Sequence, residues 1–339
     1  MRIIQQSHQF INESDHLKLI ESAGRTCYKS EDKITEDSAH RFVKMITKAG
    51  HYSVLEHASI CFEIHQEKAW EFIINADRKY LFWDGSRVRK LVSGNFRAWL
   101  EFIQFVGIRE APDEIINIFM YLHKEWPEIF PIPFDCYHYM EIPTVVPENQ
   151  MTIEEKLIHA TRTCRFITNR GVTHELVRHR TFSFSQESTR YVKYDGGMEF
   201  ILPVWFGSVW EGTWFDREGA WKSRFGRSDE DWMIAPATWL FACEQAENMY
   251  HDLLKEDWKP EQAREILPNS LKTEIVCTAP LNQWKHMLGL RTSKAAHPQI
   301  RGLMEPVLIE LQEEFPDIFK SIGGEGLGNE RQDIYKEKM

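Results

Sequence analysis

Hydrophobic residues follow a helix-type spacing in some segments of this chain and a strand-type spacing in others, so its fold must contain both elements. Residues 39–46 carry apolar side chains at positions i, i+3, i+4 and i+7, and Gly50 follows as a stop signal for the helix. Residues 58–64 alternate apolar and polar side chains, which predicts a strand with one buried face. Between the two, Ser53 and Glu56 have capping-box spacing and predict a helical turn.

Similar patterns extend along the remaining chain. Helices are predicted at residues 14–24, 96–103, 113–126, 153–161, 235–255, 281–290 and 300–311, with another starting at Pro260, and strands at residues 87–93, 163–169, 199–203 and 273–278. Thr173 is the predicted N-cap of a short helix that ends before Arg178. The segment 181–189 is poor helix material and is predicted to be a loop whose backbone amides can face an anion.

Composition indicates a globular protein without a general affinity for polyanions. The 339 residues are 42% hydrophobic and 27% charged, and the net charge of −10 gives no overall positive field. The six cysteines show neither a Cys-x-x-Cys pair nor a metal-binding spacing, which predicts reduced thiols, a cytoplasmic location and no metal. The first residues lack the apolar run of a signal peptide, and no window reaches the roughly 18 apolar residues of a membrane span.

The segment 173–194 holds the densest group of hydrogen-bond donors in the chain. Its cationic and imidazole side chains are Arg178, His179, Arg180 and Arg190. Because positive groups this close repel one another, an anion is expected among them. In a chain with a net negative charge, such an anion site has to be local.

Three other interpretations of this segment have to be weighed. Ser188 near His179 could be a hydrolase nucleophile, but no G-x-S-x-G elbow surrounds it, so a substrate-positioning role is preferred. The arginines and interleaved aromatic residues could stack on single-stranded RNA, which the net charge and the lack of a second basic patch argue against. The third possibility is structural, with the arginines paired internally to glutamates such as Glu175 and Glu187.

Four segments, in order, resemble the flavin-dependent thymidylate synthases. Arg178-His179-Arg180, seven intervening residues and Ser188-Thr189-Arg190-Tyr191 are similar to the signature of that family. Three other segments resemble its segment before the first core strand, its arginine-bearing helix and its C-terminal site segment; they are residues 50–57, 263–268 and 282–299. The stretches spanned by these motifs make up roughly half of the chain.

The resemblance implies an α/β fold of the α+β type, with helices packed on a mixed β-sheet core and no relation to a dinucleotide-binding Rossmann fold. It implies a methyltransferase that converts dUMP to dTMP, with 5,10-methylenetetrahydrofolate as carbon donor and NADPH reducing a bound FAD. It also implies a homotetramer whose active sites are each built from more than one subunit. The expected partners are therefore dUMP, the folate and NADPH, and neither nucleic acid nor a membrane.

Site residues follow from the resemblance together with the chemistry of the uracil ring. Arg291 is the predicted catalytic residue, because a cation held against the N3/O4 edge lowers the cost of negative charge when C5 becomes nucleophilic. The residues expected to bind dUMP are Glu175, Arg178, Gln186, Glu187, Ser188, Thr189, Arg190, Arg264 and Arg291. Those expected to bind FAD are Ser53 from a neighbouring subunit, Glu56, Arg178, His179, Arg180, Gln186, Asn282 and His286.

The chain departs from the family pattern at a few of these positions. Glu175 stands where many members have Gln, Gln186 where some have Glu, His286 where some have Asn, and Pro280 where a polar residue contacts the flavin. Cys27 lies where the family often has a small polar residue, so a cofactor contact and a buried structural thiol are both open. Residues 1–321 are expected to form one domain with insertions at about 66–155 and 204–235, followed by a mobile tail at 322–339.

Overall fold

The computed structural model describes residues 1–76, 81–85, 89–106, 111–131, 141–206, 212–213 and 234–323. Its α-helices are α1 (His16–Tyr28), α2 (Ser38–Lys48), α3 (Glu67–Asn75), α4 (Phe96–Val106), α5 (Asp113–Glu125), α6 (Ile153–His159), α7 (Arg170–Leu176), α8 (Ile234–Lys255), α9 (Pro260–Ala263), α10 (Leu281–Arg291), α11 (Pro298–Glu314) and α12 (Pro316–Phe319). Its strands are β1 (Arg2–Ile4), β2 (Ser7–Phe10), β3 (Ser59–Glu63), β4 (Leu81–Gly85), β5 (Lys90–Asn95), β6 (Thr144–Val145), β7 (Thr161–Asn169), β8 (Ser183–Gln186), β9 (Glu199–Ile201), β10 (Gly212–Thr213) and β11 (Lys272–Pro280).

The central sheet consists of four antiparallel strands in the order β2-β7-β11-β8. Alternate residues of the fully buried strand β11 face opposite sides, so Ile275, Cys277 and Ala279 pack into one apolar core with α10 and α11. On the other face, Thr278 contacts His57 of the 3₁₀ helix Tyr52–His57. The sheet therefore turns its apolar face to the C-terminal helices and its polar face to the 3₁₀ helix.

A second antiparallel sheet has the order β4-β5-β3-β6. It shares a large apolar core with helices α1 to α5, in which Phe62, Trp99 and Phe119 are fully buried. A third, three-stranded sheet pairs β1 parallel with β9 and antiparallel with β10. The helix-and-sheet class predicted from the sequence is confirmed, and the mixed strand pairing lies in this small sheet while the central sheet is antiparallel.

Most of the predicted elements are present in the structure. The helix predicted over residues 39–46 is α2, and Gly50 follows it with a φ of 74°, a conformation that glycine adopts without strain. All six predicted apolar positions of the last long helix are buried in α11: Ile300, Leu303, Met304, Val307, Leu308 and Leu311. In the described part of the chain, no helix is both long enough and apolar enough to cross a membrane.

Two local predictions around the cationic segment were wrong. Asn169, and not Thr173, caps α7, because its side-chain oxygen accepts the N–H of Val172 at 2.8 Å while Thr173 lies inside the helix. Residues 183–186 form strand β8 rather than a loop. Four residue pairings with β11 determine this strand, and they outweigh the weak strand preference of its two serines.

Two strand predictions also need correction. Strand β3 has both faces covered rather than one, since Cys61 is 5% exposed and Phe62 is fully buried. The strand predicted at 87–93 is β5, which runs through Gly94 and Asn95 instead of breaking there. The proposed single domain with two insertions stays a prediction, and the expected tail from 324 onward, with most of 207–233, lies outside the described residues.

Candidate functional site

A pocket of about 520 Å³ lies between the end of α1, the 3₁₀ helix Tyr52–His57 and the segment that follows β8. Its described lining residues are Cys27, Tyr28, Gly50, His51, Tyr52, Ser53, Val54, Arg97, Gln186, Glu187, Ser188, Arg190 and Tyr191. A backbone hydrogen bond joins two of its walls: the N–H of Ser188 donates to the carbonyl of Cys27 at 3.0 Å. The pocket therefore contains part of the cationic segment singled out in the sequence.

Arg190 presents its guanidinium at this pocket without an ion-pair partner among the described residues. Its side chain is exposed, and its guanidinium carbon lies 5.2 Å from the ring centroid of Tyr191. The Tyr191 ring packs at 5.4 Å from that of Tyr28, whose hydroxyl is 3.1 Å from Nδ1 of His51. These aromatic rings support an arginine whose N–H groups remain available for an anion.

Glu187 lies in the same wall, but its carboxylate is used inside the protein. The side chain is 1% exposed, accepts a hydrogen bond from the Tyr194 hydroxyl at 2.8 Å and lies 3.4 Å from Nζ of Lys272. Lys272 also contacts Glu274 at 2.7 Å. Burial alone would lower the pKa of Lys272, but the two carboxylates outweigh it and raise the pKa, so the lysine stays charged.

A buried histidine connects the pocket wall to the central sheet. His57 is fully buried, with Nδ1 at 2.8 Å from Oγ1 of Thr278 and Nε2 at 2.9 Å from Oγ of Ser185. Burial lowers the pKa of His57 to about 3, so the imidazole is neutral at physiological pH. It fixes β8 by hydrogen bonds to two strands and carries no charge into the site.

Cys27 lies beside this wall with a protonated thiol. Burial raises the pKa of Cys27, and hydrogen bonds from Ser185 and from the backbone of Gln186 offset this only in part. A protonated thiol is a poor nucleophile, so the Cys27 side chain is suited to packing or hydrogen bonding at the pocket.

A second group of predicted residues surrounds Arg291 at the end of α10. Its Nη1 donates to Oε2 of Glu175 at 2.7 Å, its Nη2 to the Glu175 carbonyl at 3.2 Å, and its Nε to Nε2 of His179 at 3.0 Å. Burial, Arg291 and His286 lower the pKa of His179 to about 4, so the imidazole is neutral at physiological pH. Its Nε2 accepts this bond in the tautomer that is protonated at Nδ1. Glu175 and His179 together hold the guanidinium of Arg291 in one orientation.

The remaining predicted residues differ in whether their polar side chains already have partners within the protein. Arg178 and Arg180 are exposed and have no carboxylate partner in the part of the chain that the structure describes. Nε of Arg264 lies 3.6 Å from Oε1 of Glu265. Oδ1 of Asn282 is buried and has no hydrogen-bond partner among the described residues. The internal pairing considered for the arginines of the segment 173–194 is not found among the described residues, where Arg178, Arg180 and Arg190 have no carboxylate partner. Glu175 pairs instead with Arg291, outside that segment.

The structure brings the predicted residues together in two groups. The pocket wall holds Ser53, Gln186, Glu187, Ser188 and Arg190, with Thr189 following Ser188 in the same segment. The other group holds Glu175, His179, His286 and Arg291, since the His179 and His286 rings are 6.3 Å apart. The described lining of the pocket does not include Arg291.

Sequence reasoning missed Arg97. It lines the pocket, and its Nη1 donates to Oε1 of Glu56 at 2.7 Å. Arg97 is the second residue of α4, in a segment to which the sequence assigned no function. No motif around it would have signalled a site residue. Within the described residues, no cluster of His, Cys, Asp and Glu is placed to hold a metal ion.

These features define an α+β protein with an arginine-bearing pocket. Comparison with known proteins identifies the family: the model of the thymidylate synthase complementing proteins matches residues 9–69 and 152–317, about two thirds of the chain. The chain belongs to this family. The matched residues include both groups of site residues described above, and residues 70–151 lie outside the match.

Named relatives agree with this assignment. The chain is 33% identical over 165 residues to the flavin-dependent thymidylate synthase of Corynebacterium efficiens, covering 48% of this chain and 62% of the relative. It is 32% identical over 152 residues to that of Corynebacterium glutamicum, covering 44% of this chain and 57% of the relative. The chain thus spans less than two thirds of the length of these relatives. Neither the family nor these relatives point to an RNA-binding protein.

A solved structure is also similar over nearly the whole chain. It is the UMP/dUMP methylase PolB from Streptomyces cacaoi with bound 5-Br UMP, at 15% identity and a TM-score of 0.42, covering 94% of this chain and 95% of PolB.

Proposed function

We propose that the protein is a flavin-dependent thymidylate synthase, which methylates dUMP to dTMP. In this proposal 5,10-methylenetetrahydrofolate donates the carbon and NADPH supplies the reducing electrons through FAD. The observation that carries the proposal is the pocket on the family-matched segments. Within the described part of the chain, Arg190 has no carboxylate partner there, in a protein of net charge −10. A phosphate dianion is the kind of partner that such a guanidinium binds.

The phosphate of dUMP is proposed to bind Arg190, Ser188 and Thr189. The backbone of this segment supports the role, since Ser188 is tied to the Cys27 carbonyl and the Arg190 N–H donates to Oγ of Ser188 at 3.3 Å. Gln186 is proposed to reach the ribose, and its amide is oriented by Oγ1 of Thr173 at 3.0 Å. Glu187 is proposed to support this segment through its ion pair with Lys272.

Arg291 is proposed to polarise the uracil ring. Methyl transfer needs negative charge on C5, and a fixed cation at the N3/O4 edge stabilises that charge in the transition state. The hydrogen bonds from Arg291 to Glu175 and His179 restrict the guanidinium before substrate binds. Arg264 and Arg178 are proposed to position the nucleotide; Arg178 is exposed and Arg264 is partly exposed.

The residues expected to bind FAD carry hydrogen-bond donors and acceptors that suit this cofactor. Arg178 and Arg180 lack carboxylate partners within the described chain and suit the pyrophosphate, and the buried, unpartnered Oδ1 of Asn282 suits an N–H donor. Ser53, Glu56, His179, Gln186 and His286 are proposed to complete this cofactor site. When bound and reduced, the flavin supplies the hydride that turns the transferred methylene into a methyl group.

The two separate groups of residues also support a proposed homotetramer with shared sites. Ser53 belongs to the pocket wall, whereas Arg178, Asn282 and His286 are outside the lining described for that pocket. A neighbouring subunit that supplies Ser53 to the flavin of another chain would join the two groups. We place the enzyme in the cytoplasm, where thiols such as Cys27 stay reduced.

Tritium release from dUMP labelled at C5 tests the proposal. Methylation replaces the C5 hydrogen, so the purified protein should release tritium into water only when FAD, 5,10-methylenetetrahydrofolate and NADPH are all present. Omission of each component in turn is the control. A protein that binds no flavin and releases no tritium in the complete mixture would overturn the proposed function.

A further inference from the structure

The segment outside the family match reaches the candidate site through the first turn of α4. The N–H of Phe96 donates to the carbonyl of Ala58 at 2.9 Å, and Oδ1 of Asn95 accepts the N–H of Ala98 at 2.8 Å. Phe96 and Trp99 are fully buried in the core beneath this turn. The backbone on both sides of Arg97 is therefore fixed, and the Arg97 side chain starts from a defined point at the pocket.

Two carboxylates hold the Arg97 side chain and leave part of its guanidinium unused. Nη1 donates to Oε1 of Glu56 and Nε donates to Oε1 of Glu101, both at 2.7 Å. A guanidinium has five N–H groups, so about three remain after these two bonds. The side chain is 35% exposed and lines the same pocket as Ser53 and Arg190.

The pocket wall offers an anionic ligand the guanidinium of Arg190, which has no carboxylate partner among the described residues, and the remaining N–H groups of Arg97. Glu187 is the one carboxylate among the described lining residues, and it is already bound to Lys272 and Tyr194. Glu187 therefore does not neutralise Arg190, whereas Arg97 keeps its ion pairs with Glu56 and Glu101. Glu56 and Glu101 lie outside the described lining and act on Arg97 from the side.

We propose that Arg97 is a further binding residue of this site and that its guanidinium holds a phosphate group of the ligand in the pocket. The inference rests on the proposed function, and it gives the segment 70–151 a direct role in ligand binding. The phosphate has two possible sources, the monoester of dUMP and the pyrophosphate of FAD. Both offer oxygens that an arginine binds through paired N–H donors.

The alternative is that Arg97 only stabilises the fold through its two ion pairs. Its pair with Glu101 has the i,i+4 spacing of a helix surface, where such pairs contribute little to stability. Arg97→Gln would then lower stability through the loss of both pairs, and Glu101→Gln through the loss of one, while the affinities for dUMP and FAD stay unchanged. A binding role separates the two variants, because only Arg97 contacts the ligand.

Binding measurements on the purified full chain test the inference through Arg97→Gln, with Glu101→Gln as the matched control. Calorimetry compares dUMP with deoxyuridine, and flavin fluorescence compares FAD with riboflavin. Arg97→Gln should weaken either dUMP or FAD by about tenfold or more, as expected for one charge-assisted contact. The unphosphorylated partner of that pair, and Glu101→Gln with every ligand, should change less than about twofold.

Each outcome distinguishes the inference from the proposed function. A loss restricted to dUMP identifies the monoester as the group bound, and a loss restricted to FAD identifies the pyrophosphate. Unchanged affinity for both, or an equal loss for deoxyuridine and riboflavin, overturns the role of Arg97. If the wild-type protein binds neither dUMP nor FAD, the proposed function itself fails.

Discussion

Arg291 illustrates how neighbouring side chains prepare a single group for its proposed task. Three hydrogen bonds, two to Glu175 and one to His179, fix its guanidinium. The bond to His179 requires a neutral imidazole protonated at Nδ1, and the lowered pKa of about 4 keeps the ring neutral at neutral pH. A cation held in this way loses less freedom when it meets developing charge on a substrate.

Substitution of Arg291 separates catalysis from cofactor binding. We expect Arg291→Ala to lower the turnover number by about 10²- to 10³-fold, because a fixed transition-state donor is lost. FAD affinity should stay within about twofold of wild type, since Arg291 is proposed to act on the nucleotide. Arg291→Lys keeps the charge without the planar fork and should be intermediate. Normal turnover by Arg291→Ala would remove the residue from the proposed mechanism.

Because His57 is buried, it should make the stability of the protein depend on pH. Its pKa lies near 3 in the folded protein and near 6.5 in the unfolded chain, so below pH 6.5 the unfolded state binds more protons. The free energy of unfolding should therefore fall as the pH decreases, by up to about 1.4 kcal/mol per pH unit from this residue.

Urea unfolding at several pH values from 7 down to about 5 measures this contribution. His57→Gln keeps a hydrogen-bonding side chain but cannot titrate, so the variant should be less stable at neutral pH and lose less stability on acidification. Other histidines with lowered pKa, such as His159 and His179, remain in both proteins and cancel in the comparison. Equal slopes for the two proteins would contradict the role given to His57.

Candidate site residues could be selected from the sequence, because their order matches a family signature. Their grouping could not, since it depends on contacts between distant segments. Glu187 was expected to bind the nucleotide, yet its partner Lys272 is 85 residues away and gives no local signal. Arg97 was missed for the same reason, since its partner Glu56 is 41 residues away and the other lining residues of the pocket come from distant segments.

Among the elements, long helices were predicted best and strand β8 worst. An amphipathic helix such as α11 repeats its pattern over four turns, whereas β8 has four residues and two serines. Its strand conformation comes from pairing with β11, and its polar side chains are satisfied by contacts such as Ser185 to His57. Local propensity could not reveal either partner.

Close packing between α1 and α2 offers a test of how an element positions the pocket. A Cβ at Gly24 would lie 2.6 Å from Cζ of Phe42 and 2.8 Å from Cγ1 of Val54, which adjoins Ser53. Gly24→Ala should lower the free energy of unfolding by about 1–3 kcal/mol through overpacking. The measurement is denaturant unfolding followed by circular dichroism.

Gly289→Ala is the matched control for this substitution. Gly289 lies in α10, and a Cβ there meets nothing within 4 Å. Alanine at this position should raise helix stability by about 0.5–1 kcal/mol, because glycine is a poor residue in a helix interior. A Gly24→Ala protein as stable as wild type would show that the α1–α2 contact relaxes easily.

For the molecule as a whole, the segment outside the family match is part of the main core. It supplies α4, α5 and strands β4, β5 and β6, and it buries Trp99, Phe102 and Phe119 against the matched residues. Strand β3 pairs on both sides with strands of this segment. The segment therefore covers apolar surface that the matched part of the chain would otherwise expose.

Deletion of residues 70–151 with a short flexible linker in their place should prevent folding. Strand β3 would lose both neighbours, and residues such as Phe62 would lose their apolar environment. We expect aggregation or loss of the cooperative thermal transition seen by circular dichroism. A soluble deletion variant with a cooperative transition would show instead that the segment is an appendage.

The chemical identity of the product decides between this account and any other function of the fold. The purified protein is incubated with dUMP, FAD, NADPH and methylenetetrahydrofolate that carries a carbon-13 label in its methylene group, and the nucleotides are analysed by mass spectrometry. We predict dTMP with one labelled carbon, formed only in the complete mixture. Recovery of dUMP unchanged from the complete mixture, with a folded and flavin-loaded protein, would contradict the account.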